Sequence, residues 1–536
     1  MNKNFLVVEE LSIQKNKGID NYNVLKLAIE KCISDKYAGI LLPEGEYEVY
    51  NEKALDLYNS LMCGDISATD YDRWNAEHHA AFDISNVFGI EICGSGEGTY
   101  LKFNGLIAPF DFNNCEDVKL KNIKIDWITV PYTPVTVVKK DNETIYVTPM
   151  EGYSLKGGEP IVSTTSIDPA TLKQSGMAMY SDISNLQAAS SENVYCFTCP
   201  EPEIVTVGEI LILRHIYGFA PAIHFYRCKE ISVENITIHA VPGMGIVAQK
   251  SENIAIRNLN VKPSNERLMS SNCDATHFIA CKGNISVKDS YFERMGDDVI
   301  NVHSFYLIIE KIESNRLYLK QYANSQDGVP YTPSNGDDLE ILNRDSLKMY
   351  KTVKAAEVSF DKETGLCCVV IDEQETQDIS VGDAVFDSTE MATLDFSNCI
   401  ANNIRGRGVL FSMNGAVIKN NKFINCTGEG VLLPSGGEPW WEANSATNVE
   451  ICNNEIIGCG NCQEKYRHSC GITVHSSVNN TANDIFKNIK IYDNIISGDI
   501  CPMWISYADD VVVYGNEITS DKGIMIDNCG MAEIGK

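Results

Sequence analysis

The chain has 536 residues, of which 44% are apolar, so it is long enough to bury a large hydrophobic core. Its 73 acidic and 44 basic residues give a formal net charge of −29, which argues against nucleic acid or an anionic membrane surface as a partner. No apolar run approaches the roughly 20 residues that a membrane-spanning helix needs, so no membrane span is predicted.

The beginning of the chain predicts a helix and then a strand. Residues 23–32 have helical apolar spacing, and residues 39–47 have the pattern of a strand and a turn. A helix in this place can cover the open end of a repeat, which otherwise exposes unpaired strand edges. Residues 1–10 lack an apolar core long enough for a secretory leader. We therefore expect a cytoplasmic protein as the chain stands, or a periplasmic or secreted one if a leader has been removed.

A short pattern then recurs along the chain: apolar, any, apolar, any, Asn or Asp, two residues, apolar. The alternation indicates a strand, and the polar position indicates a sharp bend, because Asn, Asp and Gly tolerate a left-handed backbone. Adjacent copies lie 22 to 31 residues apart. The bend position falls at Asn122, Asn235, Asn258, Asp289, Asn420, Asn453, Asp493 and Gly515.

A bend at a fixed place in every coil predicts an all-β fold, a right-handed parallel β-helix whose stacked coils bury one apolar row. A β-sandwich also has short alternating strands, but it does not explain the same bend residue in all eight copies. We assign 1–128 to an N-terminal cap and the first coils, 217–303 to the coils with the aspartates described below, and 393–536 to the last coils. The stretches 129–216 and 304–392 are predicted to be small inserted β-barrel or sandwich modules.

Three aspartates stand where one coil passes into the next: Asp274, and the pair Asp297 and Asp298 after Gly296. Asp274 precedes Asp297 by 23 residues, about one coil, so the three carboxylates are expected to converge. Converging carboxylates are what acid–base hydrolysis of a glycosidic bond requires. Strand alternation would send Asp297 and Asp298 to opposite faces, and a bend at Gly296 would let both face one groove.

The roles within this trio follow partly from electrostatics. Repulsion between adjacent carboxylates raises the pKa of one of them, which favours a protonated acid. By analogy with related β-helix hydrolases, we expect Asp297 to be the acid and Asp274 with Asp298 to activate water. Inverting hydrolysis needs about 6.5–9.5 Å between the two working carboxyls. Which aspartate is the acid and which the base remains open at this point.

Two tryptophans and a glutamate follow a Gly-Gly loop and are candidates for sugar contact: Trp440, Trp441 and Glu442. Aromatic faces stack on the apolar face of a sugar ring, and exposing two tryptophans on a loop is otherwise costly. The alternative is that one tryptophan packs against the solenoid wall.

Four further residues are expected near the aspartates. Asn301 and His303 fall on the same strand side as Asp297, with their neighbours inward, which places them at the groove. Arg405 and Arg407 share a face by alternation, and we expect them to bind sugar hydroxyls or to pair with the acidic site.

The 19 cysteines are odd in number and show no obvious pairing. Several stand just before a coil or in its turn, which predicts a buried thiol ladder rather than disulfides: Cys115, Cys228, Cys399 and Cys426. Cys459, Cys462 and Cys470 would suit a zinc cluster with His468, but no second close pair completes four ligands. No metal and no cofactor are predicted.

The segments 272–274 and 296–303 resemble glycoside hydrolase family 110, the α-1,3-galactosidases, as do 120–133, 243–249 and 405–410. The polygalacturonases, also β-helices, show a similar Asp…Asp-Asp arrangement, whereas the Ile-Asp-Trp stretch and the inserts favour family 110. The resemblance implies an exo-acting, inverting hydrolase without a metal, with galactose-terminated glycoconjugates as its partners. It would remove terminal α-1,3-linked galactose from blood-group B or linear Galα1-3Gal glycans. Neither the preferred glycan nor the oligomeric state can be predicted.

Other functions fit a β-helix with clustered aspartates. A polysaccharide lyase would hold a metal against a uronate with the aspartates, and Arg405 or Arg407 would abstract a proton. Its activity would depend on the metal, and its unsaturated product would absorb ultraviolet light. A polygalacturonase-like hydrolase is a further alternative. A non-catalytic glycan-binding solenoid would bind sugar without turnover.

Overall fold

Parallel strand pairing between successive coils dominates the structure, a computed structural model, and confirms the predicted parallel β-helix. Within the described residues, no helix is long and apolar enough to cross a membrane. The described residues are 4–15, 17–66, 80–96, 98–179, 183–199, 204–216, 218–264, 267–322, 330–437, 440–460, 469–478, 485–498 and 500–535.

The bend sheet is the set of 22 described strands that includes the strands on either side of the predicted bends. Its register stacks the sequence repeats directly, since Ile231 pairs with Ile254 and Ile254 pairs with Ile285. Its strands are Phe5–Val7, Gly39–Leu42, Gly45–Val49, Phe88–Gly94, Thr99–Phe103, Glu116–Trp127, Lys229–Ile238, Glu252–Arg257, Asn260–Val261, Lys282–Lys288, Tyr291–Glu293, Ala392–Ser397, Ile400–Asn402, Asn414–Lys419, Lys422–Ile424, Thr447–Cys452, Glu455–Ile457, Phe486–Tyr492, Ile495–Ser497, Ala508–Tyr514, Glu517–Thr519 and Ala532–Ile534.

The site sheet is a second set of strands, and it carries the residues that follow the aspartates. Its parallel strands are Ala80–Ser85, Ala108–Asn113, Ile223–Tyr226, Ile246–Gln249, Thr276–Ile279, Ile300–Phe305, Val409–Phe411, Val431–Ser435, Cys470–Ser476, Cys501–Ser506 and Met525–Asp527. The short strand Glu442–Ala443 pairs antiparallel with the end of Ile300–Phe305. This pairing brings the Glu442 side chain to Asn301 and His303.

All eight predicted bend residues adopt the left-handed conformation, with φ between 52° and 64°. Their side chains also stack from coil to coil: Asn258 Nδ2 donates to Asn235 Oδ1 at 2.8 Å, and Asn235 Nδ2 donates to Asn122 Oδ1 at 2.9 Å. Asparagine therefore has two roles at this position. It tolerates the left-handed backbone, and its side-chain amide forms hydrogen bonds with the asparagines of the coils on both sides.

Replacing Asn258 tests this explanation of the repeat. Asn258→Ala places a Cβ residue without a polar side chain at φ 52°, and we expect a loss of about 1–2 kcal/mol in the free energy of unfolding. Asn258→Gly is the matched control, because glycine adopts this conformation without strain and loses only the ladder bonds. Urea unfolding should show the alanine variant to be the less stable, and equal midpoints would contradict the bend argument.

The predicted cap helix is observed at Tyr22–Ser34, where its apolar side packs into the core through Leu25, Ala28 and Ile29. A second helix, Glu52–Met62, was not predicted; the Asn51 side chain caps it by accepting from the Ala54 N–H at 2.8 Å. Short 3-10 helices occupy Val8–Leu11 and Glu373–Glu375.

Two sheets of seven antiparallel strands lie within the stretches 129–216 and 304–392. The first contains Tyr132–Asp141, Thr144–Pro149, Ser163–Ile167, Gln174–Met179, Gln187–Ala188, Tyr195–Thr198 and Ile210–Arg214. The second contains Leu307–Glu313, Arg316–Gln321, Asp338–Leu342, Met349–Lys354, Glu357–Asp361, Leu366–Val370 and Ala384–Asp387. The last strand of the first sheet ends at Arg214, whose side chain donates to Asn272, two residues before Asp274. The second sheet begins at Leu307, two residues after the site strand Ile300–Phe305.

The cysteines that the structure describes form no disulfide, and Cys115, Cys228, Cys399 and Cys426 are buried as expected. The Cys115 backbone N–H lies 3.5 Å from Cys228 Sγ, but Ser251 Oγ occupies the next position beside the Cys228 N–H. The ladder is therefore interrupted by a hydroxyl. Two members of the zinc alternative, Cys462 and His468, lie outside the described residues.

Candidate active site

Asp274 and Asp298 occupy equivalent positions in consecutive coils, immediately before strands of the site sheet. The Ala275 N–H donates to the Asp298 carbonyl at 2.8 Å, and the Val299 N–H donates to the Arg407 carbonyl at 3.0 Å. The vertical partner of Asp274 is thus Asp298 rather than Asp297. We name this stack the charged column: Asp274, Asp298, Arg407 and, one coil further on, Glu429.

Asp298 is held by the next coil. Its Oδ1 accepts from the Arg407 backbone N–H at 2.6 Å, and its Oδ2 accepts from the Arg407 guanidinium at 2.8 Å. Only 2% of the residue is exposed. A buried carboxylate needs such partners, because burying an unpaired charge is costly.

Asp297 is the member of the trio that faces solvent, with 37% of its side chain exposed and Arg405 Nη1 3.4 Å from its Oδ2. The protein nevertheless displaces much of the water around this carboxyl, and that desolvation raises its pKa well above the ordinary value. Repulsion from Asp298 and Asp274 adds to the rise. The result is a carboxyl that keeps its proton and can reach a substrate.

Asp274 is buried, with 5% of the residue exposed. Its Oδ2 lies 2.6 Å from His277 Nδ1, and its Oδ1 accepts from the Asp298 backbone N–H at 3.2 Å. Burial raises the pKa of Asp274, and the charge of Asp298 raises it further. Two of the three aspartates therefore tend to hold a proton.

The chain bends at Gly296 as predicted, and the glycine is required by close packing. A Cβ at Gly296 would lie 2.2 Å from the Asn272 carbonyl oxygen of the preceding coil. The three carboxylates converge as expected, since one oxygen of each aspartate lies within 4.8 Å of the others, but the two aspartates after the bend differ in exposure. After the bend Asp297 faces solvent, whereas Asp298 points along the helix axis toward Arg407, because that arginine neutralises it.

The two arginines pair with the acidic residues, which is one of the two expected roles. Arg405 Nη1 donates to the Gly296 carbonyl at 3.0 Å and lies beside Asp297. Arg407 joins Asp298, and its Nε lies 3.8 Å from Glu429. Both arginines thus brace the turn that carries the aspartate pair.

Asn301 and His303 do not line an open groove, contrary to expectation. They are 3% and 0% exposed, and both contact the Glu442 side chain, which the short strand Glu442–Ala443 brings to them. Asn301 Nδ2 donates to Glu442 Oε1 at 3.2 Å, and His303 Nε2 lies 3.8 Å from the same oxygen. Glu442 joins this buried polar cluster while 19% of its side chain stays exposed.

The tryptophan pair divides between the two roles considered for it. Trp440 is 46% exposed and remains available to a ligand. Trp441 is 5% exposed; its ring packs beside Gly437, and the Arg344 guanidinium lies 4.7 Å from the ring centroid. Trp441 is therefore part of the wall, as in the alternative.

Three residues at the site were missed by sequence reasoning: His277, Arg214 and Glu429. His277 had a signal, because it stands three residues after Asp274 and points outward from its strand. Arg214 is 2% exposed and donates to Asn272 Oδ1 at 2.9 Å, and its charge acts against the rise in the Asp297 pKa. Arg214 comes from the first inserted stretch, so repeat spacing gave no indication of it.

No family model matches the chain. It is 26% identical over 517 residues to α-1,3-galactosidase A of Shewanella woodyi. The aligned region covers 91% of this chain and 81% of that relative. It is 24% identical over 488 residues to α-1,3-galactosidase B of Parabacteroides distasonis, covering 82% of this chain and 76% of the relative.

A solved mannuronan C-5 epimerase A-module from Azotobacter vinelandii is similar over 99% of this chain and all of its own, with a TM-score of 0.45 and 9% identity. This superposition is loose, and the fold assignment depends on the strand pairing described above. Through the galactosidases named above, the chain is related over most of its length to the α-1,3-galactosidases, which confirms the resemblance to glycoside hydrolase family 110.

Proposed function

We propose that this protein is an exo-acting glycoside hydrolase that removes terminal α-1,3-linked galactose from glycans of the blood-group B or linear Galα1-3Gal type. The observation that carries the proposal is Asp297, a solvent-facing carboxyl with a raised pKa beside two aspartates that face inward. The names of the relatives support the sugar and its linkage.

The chemistry follows from the difference between these carboxyls. Asp297 gives its proton to the glycosidic oxygen as the bond from the anomeric carbon to that oxygen breaks. Water attacks the same carbon, and its proton passes to Asp274. Asp298, fixed by two hydrogen bonds from Arg407, helps to hold the water.

Two observations bear on the stereochemistry in opposite directions. One oxygen of each aspartate lies within 4.8 Å of the others, closer than the roughly 6.5–9.5 Å expected for an inverting pair. However, direct attack by a carboxylate needs an accessible oxygen, and Asp274 and Asp298 are buried and bonded to His277 and Arg407. The burial of Asp274 and Asp298 concerns the oxygens that would have to attack the sugar, so we give it more weight than the separation. We therefore propose attack by water and inversion.

The contacts of the arginines weigh against the lyase alternative. A lyase would need Arg405 or Arg407 to act as a base near the substrate, but each is engaged with an aspartate or with the turn backbone. Both oxygens of Asp298 accept from Arg407, so this carboxylate is poorly placed to bind a metal ion.

A linkage panel tests the proposal. We expect galactose release from α-1,3-linked disaccharide and trisaccharide ends, at rates at least about tenfold above those on α-1,4- and α-1,6-linked galactosides, and no action on polygalacturonate. Full activity is expected in a chelator. Equal rates on α-1,6-linked galactose would reject the assignment, and an ultraviolet-absorbing product that requires a metal would identify a lyase.

A further inference from the structure

A chain of buried hydrogen bonds leads from Asp274 away from the substrate side. His277 Nδ1 lies 2.6 Å from Asp274 Oδ2, and His277 Nε2 lies 2.7 Å from His303 Nε2. His303 Nδ1 in turn lies 2.7 Å from the Ser304 carbonyl oxygen. The two imidazole rings are nearly perpendicular, and both are buried. This chain of hydrogen bonds therefore ends at the Ser304 carbonyl oxygen, which can only accept a hydrogen bond.

Counting protons along this chain fixes their positions. The Ser304 carbonyl can only accept, so His303 carries a proton on Nδ1. Burial lowers the pKa of His303 to about 4, so its Nε2 holds a lone pair at neutral pH and His277 Nε2 must donate. The remaining bond, between Asp274 and His277 Nδ1, also needs a proton. Two neutral imidazoles supply only two of the three, so Asp274 and His277 share one extra proton.

This shared proton bears on a conflict in the mechanism. Burial and repulsion favour a protonated form at both Asp274 and Asp297, yet hydrolysis needs one acid and one base. An aspartic acid that keeps its own proton cannot take another from water. A neighbouring imidazole that accepts the proton leaves a carboxylate in its place, and His277 has the right position to do so.

We propose that His277 is a positioning residue that takes up the proton of Asp274 and so keeps Asp274 ionised as the base, while His303 orients the His277 ring. This inference rests on the proposed hydrolase function. During turnover an O–H bond of the attacking water breaks, and its proton moves to Asp274 as the oxygen bonds to the anomeric carbon. That proton is released to bulk water afterwards, and Asp297 regains from water the proton it gave to the leaving group.

The charges around His277 favour its protonated form. Its neighbour in register on the preceding coil, Val247, is uncharged. Acidic groups come from its own turn, from the next coil and from the strand Glu442–Ala443. Three arginines lie at the same trio: Arg407 offsets Asp298, Arg405 lies beside Asp297, and Arg214 lies beside Cys273. The titratable and charged groups around the cluster are Asp274, Asp297, Asp298, His303, Glu442, Arg214, Arg405 and Arg407.

The pH profile of kcat/KM for His277→Gln tests the proposal. Glutamine can still donate a hydrogen bond to Asp274 but cannot hold its proton, so Asp274 should stay protonated to higher pH. We expect the acidic limb of the kcat/KM profile to move to higher pH by at least about one unit. At pH values below the limb, kcat/KM should then be about tenfold lower than in the wild type, and in alkaline solution it should recover. His303→Leu, which removes the lone pair that orients His277, should move the limb in the same direction by less.

His224→Gln is the matched control. His224 lies on the same outward row of the site sheet, two strands before His277, and its Nδ1 lies 2.9 Å from Asp111 Oδ1. The profile of this variant should match that of the wild type. If His277→Gln lowers activity equally at every pH and leaves the limb in place, His277 is only structural and the proposal fails.

A measurement without substrate separates this proposal from the hydrolase assignment. Nitrogen NMR of histidine-labelled protein at neutral pH should show a ring with both nitrogens protonated whose signal is absent from His277→Gln and is converted to that of a neutral ring in Asp274→Asn. A neutral His277 in the wild type would overturn the proposal even if α-1,3-galactosides are cleaved. Wild-type protein inactive on every galactoside, with the protonated ring present, would reject the hydrolase function and leave the shared proton in place.

Discussion

Asp297→Asn is expected to abolish turnover of natural α-1,3-galactosides while leaving the fold intact. The change is nearly isosteric, and Asp297 is the most exposed of the three aspartates, so the bend at Gly296 should survive. The ionisable proton is lost, and acid–base catalysis contributes about 10²–10⁴-fold per group. In the wild type, activity should fall as pH rises through the raised pKa of Asp297, because only the protonated form donates. This alkaline limb should be absent from the residual activity of the variant.

Leaving-group chemistry distinguishes the acid from the base. A nitrophenyl galactoside needs little protonation as its bond breaks, so it should partly restore the rate of Asp297→Asn but not that of Asp274→Asn. Asp521→Asn, at an exposed position, controls for the loss of one carboxylate elsewhere. Near-normal turnover of a natural disaccharide by Asp297→Asn would show that the trio is structural and that this mechanism is wrong.

Arg407→Met is expected to cause the second large effect, on stability as well as on activity. The substitution leaves Asp298 buried without the guanidinium that neutralises it, and breaking such a pair costs about 3–5 kcal/mol. Part of the Arg407 side chain is exposed, so we expect the lower end of this range. Urea unfolding should show the loss of stability as a lower midpoint than that of the wild type.

Lys422→Met provides the surface counterpart. Lys422 Nζ lies 2.8 Å from a Glu455 carboxylate oxygen on the next coil, but both side chains are well exposed. An exposed pair is worth about 0–1 kcal/mol because water and salt screen it. Equal destabilisation by the two substitutions would mean that the charged column has no special role in the fold.

The bends could be predicted from sequence because their cause is local. Asn, Asp and Gly tolerate φ near 55°, so a repeat of these residues at one offset marks every turn of the helix. The same regularity brought Asp274 near the other two aspartates, since one coil of sequence returns the chain to the same side.

The contacts that decide the roles of the site residues come from distant parts of the chain. Arg407 reaches Asp298 across an insertion, and their separation of 109 residues hides the coil-to-coil relation. Trp441 is buried by Arg344 from the inserted stretch, and His303 contacts Glu442, which a short strand brings to it. Contacts of this kind come from residues outside the strand, which alternation along the strand does not encode.

Following the anomer of galactose first released from Galα1-3Gal by proton NMR tests the central claim most directly. If Asp297 protonates the leaving oxygen while water is deprotonated by Asp274, β-galactose must appear first and convert slowly to the equilibrium mixture. Initial α-galactose would contradict the account, because it would require one of the buried aspartates to attack the sugar itself.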